Sequence, residues 1–96
     1  MNNRTEPTKE QNEAAIRALK RESKGSISGL TDARAGLAYK GDKVSPGIYS
    51  VVAFCRNGSV QVNVADFWFK EEGDEWMRQE TARIMAEELA DRINEQ

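Results

Sequence analysis

Residues 47–69, GIYSVVAFCRNGSVQVNVADFWF, contain two runs of β-branched and aromatic residues joined by Asn57-Gly58. Such residues favour strands, and an Asn-Gly pair between two of these runs is a strong signal for a hairpin. The second run alternates apolar and polar residues from Val60 to Val64. This stretch therefore predicts two antiparallel strands.

The first of these strands is apolar on both faces, since positions 48, 49 and 51–55 are all apolar. A strand of this kind is usually central and covered on both sides. We interpret residues 35–40 as its second neighbour, in preference to a short helix over residues 32–38 capped by Thr31. Together they predict a three-stranded antiparallel meander, which is the smallest stable sheet of this type.

The hairpin has two possible registers. A two-residue turn pairs Cys55 with Val60 and Ala53 with Val62. A three-residue loop with Gly58 in a bulge instead sets Phe54 beside Val60 and Val52 beside Val62. Because the second register gathers larger side chains into one core, we favour it, although a slip of one residue turns every side chain to the other face.

The end of the second strand requires a change of phase. Simple alternation from Val60 would bury Asp66 without a partner, which is costly. One extra residue, in a β-bulge near Ala65-Asp66, reverses the alternation. Phe67 and Phe69 are then predicted to face the core, and Trp68 the opposite side.

Two helices complete the predicted fold. Helix formers with apolar residues at three- and four-residue steps extend from Asp74 to Asn94, so we expect a long helix on the sheet. Residues 9–23, with a capping box at Thr8 and Gln11, predict an N-terminal helix whose thin apolar stripe docks weakly. Residues 1–8 are predicted to be a disordered tail, and 9–96 a single α+β domain of order α-β-β-β-α.

The composition argues against an enzyme. The chain has no histidine and one cysteine, so it has no Cys–His pair and no zinc-type cluster, and no glycine-rich phosphate loop occurs. We therefore expect no catalytic residues, no metal and no cofactor. Without an apolar signal region or a membrane-spanning run, and with a single cysteine, the expected location is the cytoplasm, with no membrane partner.

The charge is unevenly distributed and favours a protein partner. Residues 1–24 and 25–70 each carry a net charge of +2, whereas residues 71–96 carry −6. We expect a small inhibitor, adaptor or regulatory accessory protein of phage or plasmid type that binds a protein or itself as a homodimer, or that imitates nucleic acid. The predicted interface consists of Tyr49, Trp68, Trp76, Glu71, Glu72, Asp74 and Glu75.

The alternative is a nucleic-acid-binding domain. The order α-β-β-β-α resembles double-stranded-RNA-binding domains, although KEEGDEW, residues 70–76, replaces the lysine-rich helix entrance of that family with acids. The order β-β-β-α resembles integrase-arm and AP2-like domains, which lay the sheet in the major groove. An acidic chain binds phosphate poorly, so nucleic acid is the less favoured partner. The corresponding residues are Arg34, Lys40, Lys43, Arg56, Gln61 and Asn63.

Overall fold

The computed structural model describes residues 27, 29–55 and 60–96. They form an antiparallel sheet of order β1-β2-β3 with one helix packed on it, which confirms the α+β class and the central position of β2. The predicted helix over residues 9–23 and the predicted tail lie outside the described residues. The elements are β1 Leu30–Tyr39, β2 Gly47–Cys55, β3 Gln61–Phe69 and α1 Gln79–Asn94.

Strand β1 begins earlier than expected, and the alternative of a short helix over residues 32–38 is wrong. A bulge absorbs Asp32 and Ala33, since Thr31 pairs with Phe54 and Arg34 with Val52. Asp32 has a φ of 52°, a left-handed conformation that Asp tolerates better than most residues. The bulge lets one continuous strand include a polar stretch that resembles a turn in sequence.

The C-terminal residues of the chain complete the outer edge of β1 at this bulge. The Ala33 N–H donates to Asn94 Oδ1 at 2.7 Å, and Asn94 Nδ2 donates to the Ala33 carbonyl at 2.9 Å. Gln96 Nε2 donates to the Ile27 carbonyl in the same region. Side-chain amides thus satisfy backbone groups that have no neighbouring strand.

The hairpin adopts the register of the two-residue turn, so the favoured three-residue register is wrong. Ala53 pairs with Val62, and the Cys55 N–H donates to the Val60 carbonyl at 2.9 Å. The reason is the close approach of α1, which buries Ala82 and Ala86 completely. Ala53 is buried in the same core as these alanines, whereas Phe54 projects from the other side of the sheet.

The predicted change of phase in β3 is present, one residue earlier than expected. Val51 pairs with Ala65 and Val52 with Asn63, so Val64 is the extra residue. Beyond it, Phe67 and Phe69 face α1 and are 1% and 2% exposed. The core between sheet and helix consists of Ile27, Ala33, Val51, Ala53, Phe67, Phe69, Met77, Ala82, Ala86, Leu89, Ala90 and Ile93.

Helix α1 begins at Gln79, so its predicted start at Asp74 is wrong. Gly73 has a φ of 96°, which is incompatible with a continuous right-handed helix through this position. Met77 is buried in the core at 1% exposure. Glu80 is the acidic residue of the first turn, whereas Glu71, Glu72, Asp74 and Glu75 lie in the preceding loop. Ile84 is one of the apolar residues that recur at helical steps, but it is 50% exposed.

Replacing Asn94 tests its role as a partner of β1. Asn94→Ala removes both hydrogen bonds to Ala33, so we expect a loss of about 1–3 kcal/mol in the free energy of unfolding. Asp91→Ala, on the exposed side of the same helical turn, should stay within about 0.5 kcal/mol of the wild type. Urea denaturation measures both, and equal stability of the two variants would contradict the assigned role.

The two glycines of the sheet provide a matched pair. A methyl group at Gly47 would overlap the buried Phe69 ring, whereas one at Gly36 would meet nothing within 4 Å. We expect Gly47→Ala to destabilise the fold by about 1–3 kcal/mol. Gly36→Ala should be neutral or stabilising by up to about 1 kcal/mol. Thermal unfolding compares them, and the reverse order would contradict the packing at Phe69.

Candidate functional site

The face of the sheet opposite α1, here called the open face, is ordered in rows by the strand register. Directly paired residues of neighbouring strands project to the same side, so each row crosses β1, β2 and β3. From the end nearest α1's entrance, the rows are Tyr39–Ile48–Trp68, Gly36–Ser50–Asp66, Arg34–Val52–Asn63 and Thr31–Phe54–Gln61.

The first row, here called the apolar row, consists of Tyr39, Ile48 and Trp68. Tyr39 is 58% exposed, and the other two are half-buried. Trp68 occupies this face because the bulge at Val64 reverses the alternation of β3. Large apolar side chains at the rim of an open sheet are typical contact residues in protein interfaces.

The next row is polar and is held by Asp66. Ser50 Oγ donates to Asp66 Oδ1 at 2.6 Å, and Asn63 Nδ2 donates to the same oxygen at 3.2 Å. Gly36 has no side chain, which leaves a shallow depression of about 260 Å³ lined by residues of β1 with Ser50 and Val52. The open face is therefore preorganised and not flat.

The segment between β3 and α1, residues 71–76, forms what we call the acidic loop. The Lys70 N–H donates to the Met77 carbonyl at 2.9 Å and closes its base. The Glu72 N–H donates to the Lys43 carbonyl at 3.0 Å, which ties it to the loop between β1 and β2. Two buried anchors, Phe69 and Met77, flank it, so the acids must project outward.

The carboxylates of the acidic loop are exposed. Glu71 Oε2 accepts the Gln79 N–H at 3.5 Å, and the Glu71 carbonyl accepts a hydrogen bond from Arg78 Nη1. Within the part of the chain that the structure describes, Glu72, Asp74 and Glu75 form no salt bridge. The loop consequently presents negative charge at the rim of the sheet.

Trp76 is less accessible than an interface tryptophan was expected to be. It is half-buried, and Lys70 Nζ lies 4.5 Å from the centroid of its ring. This cation–π contact packs the tryptophan back onto the base of the loop. Trp76 therefore supports the shape of the acidic loop as well as bordering its surface.

The remaining predicted residues are divided between surfaces. Tyr49 faces α1, half-buried, with its ring 6.4 Å from that of Phe69, so it does not share a surface with Trp68. The residues suggested for nucleic acid are placed as follows: Arg34, Gln61 and Asn63 lie on the open face, Lys40 and Lys43 are exposed in the loop after β1, and Arg56 lies outside the described residues.

Tyr39 and Asp66 belong to the open face but were absent from the sequence prediction. The signal for Asp66 was present, since the predicted bulge turns it away from the core and toward Ser50. Tyr39 can be placed only when the strand register is known, because a further irregularity between Leu37 and Tyr39 brings it opposite Ile48. No local sequence pattern indicates that shift.

The loop between β1 and β2 is shaped by Asp42. Its Oδ1 accepts the N–H groups of Val44 at 3.0 Å and Ser45 at 2.7 Å. These hydrogen bonds, that from the Ser45 backbone first, lower the pKa of Asp42 below its ordinary value of 3.8. The turn leaves Val44 exposed near Lys43, the residue that binds the acidic loop.

Among the described residues, no group of three acidic or cysteine side chains is arranged to hold a metal ion. None of the helices in that part of the chain has the length and apolar character needed to cross a membrane. Comparison with protein-family models, with curated proteins and with solved structures gives no match.

The lowered pKa of Asp42 predicts a pH-dependent contribution to stability. A depressed folded-state pKa stabilises the fold above the unfolded value of 3.8 and loses this effect as the pH falls through the lower folded value. Asp42→Asn keeps an oxygen acceptor but removes the charge. We expect wild type to be more stable at neutral pH and the difference to disappear in strong acid. Denaturation across pH measures it; a constant difference would contradict the assignment.

Proposed function

We propose that the chain is a small, non-enzymatic cytoplasmic protein-interaction module that acts as an inhibitor, adaptor or regulatory accessory protein. The observation that carries this proposal is the adjacency of the apolar row and the acidic loop. Trp68 lies two residues before Lys70, which closes the base of the loop, and Tyr39 precedes the loop that Glu72 binds. Apolar and negatively charged contacts thus meet at one end of the sheet.

The chemistry of this surface favours a basic protein partner. Buried aromatic side chains supply most of the binding energy in typical interfaces, and surrounding charges set the rate and specificity of association. The exposed carboxylates of Glu72, Asp74 and Glu75 would pair with Lys or Arg around an apolar contact on the partner. Such a partner includes proteins that bind nucleic acid through a basic surface.

The surface is also held in shape before binding. The acidic loop is closed at Lys70 and Met77, and Glu72 attaches it to Lys43. Because little loop ordering remains to be done on association, the entropic cost of binding is reduced. This supports recognition by a loop of only six residues.

A heterologous partner is favoured over a homodimer at this surface. In a two-fold symmetric dimer each patch contacts its own equivalent or a neighbouring region. Two copies of the acidic loop would then approach one another, and like charges oppose such contact. A homodimer therefore stands as the competing outcome, and light scattering after size exclusion tests it directly.

Alanine substitutions in the apolar row test the proposal. Tyr39→Ala and Trp68→Ala should each reduce capture of the partner from native-host lysate about tenfold or more, as expected for interface anchors. Ile84→Ala removes a comparably exposed apolar side chain from the outer side of α1 and should leave capture unchanged. Each variant is first shown to be folded by its denaturation midpoint. Equal capture by all three variants would remove the apolar row from the interface.

The charge of the acidic loop is tested separately. Glu72→Gln with Glu75→Gln should weaken capture at low salt and flatten its salt dependence, because exposed charges act within a screening length of about 10 Å. Glu88→Gln with Glu95→Gln changes the net charge equally at exposed sites elsewhere on the chain. Identical behaviour of the two pairs would show that net charge, and not the loop, attracts the partner.

Nucleic acid is the second candidate, supported by the presence of Arg34, Gln61 and Asn63 in adjoining rows of the open face. The Asp66 carboxylate in the neighbouring row opposes contact with phosphate. A gel-shift assay with duplex DNA or RNA at low salt separates the two functions. Retardation that Arg34→Gln abolishes would replace the protein-binding proposal with this one.

A further inference from the structure

The open face has an apolar centre that α1 does not cover. Ile48, Val52 and Phe54 project from it along β2, and all three are half-buried. Helix α1 packs against the other face, where the core cluster lies. A central strand that is apolar on both sides is usually covered on both.

The dimensions of this face suit one helix. Neighbouring strands lie about 4.8 Å apart, so three strands give a width of about 14 Å, and Phe54 and Ile48 are separated by about 20 Å along β2. A helix is about 10 Å across, and 15 residues extend about 22 Å.

The sequence contains a matching segment. Residues 9–23, here called the N-terminal segment, predict a helix with Ile16 and Leu19 on one side and Arg17 and Arg21 on the other. We propose that the N-terminal segment docks lengthwise on the open face of its own chain. The docking surface is the part of that face from the Phe54 row to the apolar row.

The point of attachment sets the direction of docking. Residue 23 is four positions before Ile27, which is 2% exposed in the core, and β1 starts shortly after it with Leu30 opposite Cys55. The segment is therefore tethered at the Phe54 end. Running back along the sheet, its first residues reach the acidic loop, where Lys9 and the positive end of the helix dipole meet carboxylates.

The spacing also matches the depression at Gly36. At about 1.5 Å per residue, Ile16 lies roughly 10 Å along the face from the Phe54 row. That position falls between Val52 and Ser50, where the depression of about 260 Å³ is located. Leu19 comes between Phe54 and Val52. The Ile16 side chain would therefore occupy the depression beside Gly36.

A spin label measures the docking in the full chain. Glu10→Cys in a Cys55→Ala background places a nitroxide on the outer side of the segment, two helical turns before Arg17. We expect several-fold stronger broadening of the methyl resonances of Ile48 and Val52 than of Leu89 and Ile93, which lie beyond the sheet. Equal broadening of both groups, or none, would overturn the proposal.

Matched variants identify the contact in this labelled chain. Leu19→Glu should abolish the selective broadening, whereas Arg17→Gln, with the same change of net charge on the opposite helix side, should preserve it. A Cβ added at Gly36 meets nothing within 4 Å, so Gly36→Val places a branched side chain in the depression and should weaken the selective broadening. Insensitivity to both Leu19→Glu and Gly36→Val would reject the proposed contact.

A mixed sample distinguishes docking within one chain from docking of the segment on a second copy of the chain. Spin-labelled chains at natural isotope abundance are combined with isotope-labelled chains that carry no spin label. If docking is within one chain, Ile48 and Val52 of the isotope-labelled molecules stay sharp. Broadening in this sample would mean that the segment docks on a second copy, which contradicts the proposal.

One consequence rests on the proposed function. A segment that reaches the apolar row competes with the partner, so Leu19→Glu should increase capture several-fold and Arg17→Gln should not. Capture unchanged by Leu19→Glu, with selective broadening intact in the wild type, would reject competition but not docking. If the labelled chain without further substitutions shows no selective broadening, but capture of the partner still depends on Tyr39, docking is rejected and the proposed function is not.

Discussion

The extra residue at Val64 is the constraint on which the rest of the structure depends. Without it, β3 would direct Asp66 and Trp68 toward α1 and expose two phenylalanines. Burying Phe67 and Phe69 contributes about 1.5–3 kcal/mol each, whereas an unpaired carboxylate in the core costs several. The bulge buries the two phenylalanines and keeps the Asp66 carboxylate out of the core. It also places Asp66 where Ser50 and Asn63 donate to it.

The opposite edge of the sheet depends on a second irregularity. The bulge at Asp32 turns the backbone groups of Ala33 away from β2, and Asn94 at the end of α1 binds both of them. The last helical turn is thereby attached to the first strand, far apart in sequence. This contact protects an edge that would otherwise expose unpaired groups to other chains.

The candidate site follows from the same core. Phe69 and Met77 are both fully buried. The residues between them are mostly charged, so this part of the chain leaves the core and forms the acidic loop. The register that buries Phe69 also places Trp68 beside Ile48 and Tyr39 at the base of that loop. Surface and core are therefore two results of one strand alignment, which links the proposed interaction to the stability of the fold.

The sequence by itself determined the types of the three strands and the C-terminal helix, the central position of β2, the need for a bulge in β3 and the inward direction of Phe67 and Phe69. These follow from local periodicity and from the cost of burying Asp66. Tertiary structure decided the hairpin register, the start of α1 at Gln79 and the place of Tyr39 in the apolar row. Each depends on residues that are distant in sequence: the alanines of α1 share one closely packed core with Ala53, and Met77 is buried in that core just before the helix begins. Local patterns contain no information on such fits, because they arise only when the two layers meet.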